Sequence, residues 1–110
     1  MTRSQKFDQL IAELVDYKRR HLGFKLSDVS SELGIREDHV RKINSPTSEK
    51  RYTLEQLYLL STAFKCSIDD FIPSANNLKT LERFMNMSEE EIEICLKKII
   101  EKIRGDEKYE

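Results

Sequence analysis

Tryptophan is absent, and the 110 residues include only three glycines, two prolines and two cysteines. So few chain breakers exclude collagen-like and turn-rich architectures and favour helices. Cys66 and Cys95 are too few and too far apart for a disulfide framework or a zinc motif, and both read as small buried thiols. With His21 and His39 the only imidazoles, no metal site and no cofactor are expected. No apolar run approaches the roughly 20 residues that span a bilayer. The opening MTRSQKFDQLIAEL lacks the uninterrupted apolar segment of a secretory signal, so no membrane partner is expected and the expected compartment is cytoplasmic. Nothing resembles a catalytic triad, a phosphate loop or a paired-acid site, which points away from an enzyme.

What the chain has in quantity is charge, 35% of residues, nearly balanced at a net −1. A near-neutral protein does not coat nucleic acid indiscriminately. The charge is uneven, however: residues 17–51 hold nine Lys/Arg against five Asp/Glu, and every other segment is negative. A locally basic stretch on a neutral chain is the footprint of a confined anionic partner.

Apolar spacing predicts a string of helices. Over residues 4–21, Phe7, Leu10, Ile11, Leu14 and Tyr17 form one stripe, closed by Lys18, Arg19, Arg20 and the stop at Gly23. A second helix, Leu26–Leu33, ends at Gly34, and a third, Glu37–Asn44, carries Val40 and Ile43 before Pro46 stops it. A Thr53/Gln56 capping box opens a fourth helix with Leu54, Leu57, Leu60, Ala63 and Phe64 inward. Ser67 caps a fifth helix of one to two turns that carries Ile68 and Phe71 and stops at Pro73. Beyond it, Leu78, Leu81 and Met85 share one face of a short helix. A second capping box, Ser88/Glu91, starts a last helix in which Ile92, Leu96, Ile99 and Ile103 make a coiled-coil-like seam.

The segments GFKLSDVSSELGI, HVRKIN and YTLEQLYLLSTAFKCSIDDFI resemble the phage-repressor-like helix-turn-helix family, also called the XRE family. The resemblance covers about 50 to 60 residues and implies an all-α, five-helix DNA-binding domain over residues 1–73. A two-helix extension over residues 74–110 is left to hold two subunits together. The third helix would then read bases, with Glu37, Asp38, Arg41 and Lys42 as base-contact candidates. Lys25, Arg36, Ser45, Lys50 and Arg51 are the phosphate-contact candidates, and Ile92, Leu96, Ile99 and Ile103 the dimer-interface candidates. Where the family has a phosphate-binding Gln, a Ser/Thr cap and a glycine, this chain has Leu26, Arg36 and Pro46.

Glu37 and Asp38 invite two readings. Acids in a first helical turn are worth roughly 0.3–1 kcal/mol against the helix dipole. Alternatively, a carboxylate accepts a hydrogen bond from cytosine N4. The expected function is a sequence-specific, homodimeric transcriptional regulator on double-stranded DNA. The alternative is an antitoxin or adaptor that uses the same fold mainly to bind a protein partner.

Overall fold

The computed structural model describes residues 5–108, with side chains over residues 7–104. The described residues form six α-helices and two short 3-10 turns, with no strand. Helix α1, Gln5–Leu22, is the shared wall of two hydrophobic clusters. Its apolar residues come in adjacent i, i+4 pairs, so two neighbouring stripes run along it. Val15, with Ile11 beside it, faces the first cluster; Leu10 and Leu14 face the second. Tyr17, expected on the stripe, is exposed. Val15 takes the inward place instead, because the inward face lies four residues after Ile11, not six.

Helices α2 (Leu26–Leu33), α3 (Glu37–Asn44) and α4 (Leu54–Phe64) build the first cluster from Val29, Val40, Leu57, Leu60 and Phe64, closed below by Phe71. Each fully buried aliphatic of this size stabilises the fold by roughly 1.5–3 kcal/mol. Phe64 stacks on Phe24 with ring centroids 4.9 Å apart and meets Phe71 edge-on at 6.1 Å.

The helix ends follow local chemistry. At α2, the Lys25 backbone N–H donates to Asp28 Oδ2 at 2.7 Å. At its other end Gly34, at φ +66°, lets the amides of Gly34 and Ile35 reach the Ser31 and Ser30 carbonyls. The Thr53/Gln56 box is reciprocal, at 2.9 and 3.1 Å. Helix α4 ends without a glycine, and Lys65 takes the left-handed conformation at φ +55°.

Three further expectations need correction. The fifth helix is a 3-10 turn, Ile68–Phe71, since Pro73 leaves no room for an α-helical second turn. Leu54 is 72% exposed: side chains lean toward the helix N-terminus, and at the first position of α4 that direction leads past the core's edge. The helix expected beyond Pro73 is broken in two, α5 (Ala75–Leu78) and a 3-10 turn, Glu82–Phe84. The break has a visible cause. The Asn77 carbonyl, due to accept the Leu81 amide, takes the Thr80 hydroxyl at 2.7 Å and the Thr80 amide at 3.2 Å instead. Met85 is consequently exposed, and Phe84 is the buried residue of that segment.

The extension is joined to the rest by α1. Leu78, Leu81, Phe84 and Ile92 enclose Leu10 and Leu14, with Leu96 and Ile99 packed at the margin. The Asn77 side-chain amide donates to the carbonyls of Asp69 and Ile72 at 2.7 and 2.8 Å, fastening α5 to the end of the first cluster. Residue 73 therefore divides the clusters downstream of α1 but does not divide α1, which serves both.

Helix α6, Glu89–Lys108, starts at a reciprocal Ser88/Glu91 box with bonds of 2.9 and 3.1 Å. Its seam faces the chain's own core. Ile92 is wholly buried, and Leu96 and Ile99 are half-buried against the same cluster. Ile92 is thus not available to a second subunit, because Leu10 and Leu14 needed covering within the chain. Ile103 lies farther out and half-buried, while Ile94 and Ile100 point away from the cluster and are exposed.

Candidate nucleic-acid interface

Helix α3 owes its position to two side chains. Val40 and Ile43 are buried, and the rest of the helix turns partly or wholly to solvent. The three residues between α2 and α3 (Gly34, Ile35, Arg36) form a tight turn that only the left-handed Gly34 makes inexpensive. A helix, a short turn and a second helix presenting a charged face are therefore in place.

The acids at the start of α3 do not stand alone. Arg36 Nε and Nη2 donate to the two oxygens of Asp38, both at 3.0 Å, a fork-to-fork pair. Arg41 Nη2 donates to Glu37 Oε1 at 3.0 Å across one helical turn. The hydrogen bond from Arg36 holds the Asp38 carboxyl below the usual aspartate range, and the same bond raises the Arg36 guanidinium. Within this turn two negative and two positive charges cancel. The remaining positive field comes from lysine: Lys25, Lys42 and Lys50 form no ion pair among the described residues.

A concave surface of about 630 Å³ opens between the α2–α3 turn, α3 and the loop after it. It is lined by Gly34, Ile35, Arg36, Asp38, His39, Lys42 and Lys50. Four of the sequence candidates thus meet at one place: Arg36, Asp38, Lys42 and Lys50. His39 joins them, although nothing in its residue type marked it; its spacing three before Lys42 on the same helical face was the available signal. Glu37, Arg41 and Lys25 lie outside the concavity.

Two further candidates are committed to the chain's own structure. Arg51 Nη1 donates to Asp8 Oδ2 of α1 at 3.2 Å, tying the loop to the body of the protein. Ser45 Oγ shares a 3.1 Å hydrogen bond with Thr47 Oγ1 and accepts from the Thr47 amide, closing its own turn. The cations at the end of α1 are likewise occupied. Lys18 pairs with Asp70 at 3.3 Å, and Arg19 and Arg20 share Asp16 at 2.8 and 2.9 Å.

A lysine-rimmed concavity that holds the Arg36–Asp38 pair, with the Arg41–Glu37 pair outside it, offers charge-assisted donors to phosphate oxygens and orients the guanidiniums. Burial pushes the Cys66 thiol up, away from the reactive thiolate. Among the described residues no cluster of three or more His, Cys, Asp or Glu side chains could hold a metal ion, and no helix is long and apolar enough to cross a membrane. Comparison of the chain with protein-family models, with curated proteins and with solved structures returns no match.

Proposed function

We propose that this protein binds double-stranded DNA in a sequence-specific way and regulates transcription, α2 and α3 acting as a repressor-like helix-turn-helix. One observation carries the reading: α3 spends only Val40 and Ile43 on the core and presents its charged face beside Lys42, Lys50 and the Arg36–Asp38 pair. Lysines supply the sequence-independent grip on phosphates, while the paired arginines and carboxylates supply directional contacts to base edges. Because Glu37 and Asp38 are already matched by arginine, they repel the duplex less than bare acids would. A single recognition helix reads only a few base pairs, so the reading includes a homodimer on a two-fold site.

The second reading, a protein-binding adaptor of the antitoxin kind, has its own support. Leu54 and Tyr58, one turn apart on α4, are 72% and 63% exposed. Large side chains that stay in water on one helical face suit a protein partner or a second copy.

The test is a binding selection on random duplexes, repeated across salt concentrations. Enrichment of one sequence, with affinity falling by about 0.9 log units per log unit of salt for each phosphate neutralised, is the expected result. No enriched sequence even at low salt would remove the DNA reading and leave the adaptor.

A further inference from the structure

The two arginine–carboxylate pairs at the start of α3 are built differently. Arg41 gives Glu37 a single hydrogen bond, from Nη2 at 3.0 Å, and its guanidinium can turn about that one contact. Arg36 gives Asp38 two, from Nε and Nη2, each at 3.0 Å, which fix both the position and the plane of the group. A guanidinium has a second pair of parallel N–H groups, on Nη1 and Nη2. In Arg36 that second fork points away from Asp38, and the side chain makes no other hydrogen bond among the described residues. At 84% exposure the fork stands open to a ligand.

Asp38 comes two residues before Val40 and five before Ile43, and about 100° of turn per residue carries it to the side of α3 opposite both. On a helix lying in a major groove, that side meets the base edges. A phosphate is a poor guest for the open fork, since it would set a second anion on a guanidinium that already holds Asp38. A neutral partner with two adjacent acceptors suits it better. Of the four bases only guanine shows that pattern in the major groove, at O6 and N7. We infer that in the DNA complex proposed above, on which this assignment rests, Arg36 reads one guanine in each half-site, its open fork donating to O6 and N7. Asp38 is the positioning residue: it holds the guanidinium in plane and spares part of the ordering cost at binding. It acts through Arg36 and does not itself accept from cytosine.

Three proteins enter a selection on random duplexes: the wild-type chain, Asp38→Ala, and the charge-neutral double variant Arg36→Ala/Asp38→Ala. Each is then titrated with the selected duplex and with duplexes changed at single positions. Both side chains are exposed, at 84% and 46%, so neither change opens the core. The wild type should return a guanine at one position of each half-site, and replacing it should weaken binding roughly 5- to 150-fold. The double variant should lose that preference alone, keeping the preferences at other positions and the salt slope. Asp38→Ala should lower the same preference while overall affinity holds or rises, because a negative charge leaves the groove; a damaged fold would weaken every duplex instead. A double variant that weakens all duplexes alike, with the slope reduced by about 1, would make Arg36 a phosphate contact. That result would overturn the guanine assignment and leave the DNA reading standing. An unchanged guanine preference in Asp38→Ala would overturn the positioning role. No enriched sequence from the wild type would remove the DNA reading and the assignment with it.

Discussion

Helices α3 and α6 both carry an apolar stripe and a charged face, and the fold uses them in opposite ways. In α3 the stripe is two residues long and wholly spent on the core, which leaves the charged face outward. In α6 the stripe is longer, and its regular spacing reads as a surface for a partner. Ile92 nevertheless disappears into the chain's own second cluster, followed in part by Leu96 and Ile99. The difference lies in α1. Val15 of α1 is covered by the helices of the first cluster, whereas Leu10 and Leu14 would stand in water without the extension. A stripe is inward or outward according to what a distant segment leaves uncovered, and spacing within one helix does not carry that information.

The largest expected effect tests this directly. Ile92→Ala should lower unfolding stability by about 2–5 kcal/mol, as large-to-small changes in packed cores do. Ile103→Ala, on a half-buried position beyond the cluster, should cost less than about 1 kcal/mol. Because Ile92 packs within its own chain, the loss should be the same at low and high protein concentration in a urea titration. A loss that shrinks as concentration rises would return Ile92 to a subunit interface and undo the contrast with α3.

Next in size are two of the left-handed helix ends, those of α2 and α4. Gly34→Ala puts a side chain at φ +66° in the turn that aims α3, at a cost of about 1–2 kcal/mol. Beyond the adjoining residues nothing lies within 4 Å of the added Cβ, so the strain is in the backbone alone. Lys65→Gly removes the same strain from the end of α4, and should stabilise by up to about 1 kcal/mol. Thermal unfolding of the pair should move in opposite directions. A neutral Gly34→Ala would mean that the turn relaxes, and the fixed aim of α3 would then be lost as an argument.

Much of this was legible from local chemistry. The bounds of α2 and α3, the Thr53/Gln56 and Ser88/Glu91 boxes and the turn at Gly34 all follow from residues within one helical turn of each other. The Glu37–Arg41 pair also lay open, being the ordinary i, i+4 spacing. The Arg36–Asp38 pair did not, because residues two apart face each other only where one of them precedes the helix, as Arg36 does. The rupture at Thr80 rests on one hydroxyl outcompeting an amide. The commitment of Arg51 to Asp8 spans 43 positions of sequence, and no window along the chain contains both.

The charged faces of the two helices should also separate in DNA binding. Lys42→Gln and Lys50→Gln, at the concavity, should each weaken binding to all sequences alike and reduce the salt slope by about 1. Lys98→Gln, on the outer face of α6, should leave the slope unchanged. Equal effects from all three would show a diffuse electrostatic attraction with no defined face.

The smallest effects distinguish two carboxylates that share a kind of partner but not an environment. Asp38 is held by Arg36 in open water, and the hydrogen bond lowers its pKa. Glu13 is held by Arg83 at 2.6 Å between α1 and the Glu82–Phe84 turn, yet burial outweighs the arginine and raises its pKa. The two therefore bend stability in opposite directions with pH. The Asp38 contribution is present above the ordinary aspartate value and is lost as pH falls through the lower folded value. The Glu13 contribution is complete below the ordinary glutamate value and fades as pH rises through the higher folded one. Carboxyl NMR titration should find Asp38 below and Glu13 above their ordinary values. Arg36→Gln should bring Asp38 back up, and Arg83→Gln should push Glu13 higher still. Glu13 titrating at or below the ordinary value would mean that water and Arg83 together outweigh its burial. The contrast between a paired acid in solvent and a paired acid that is half-buried would then collapse.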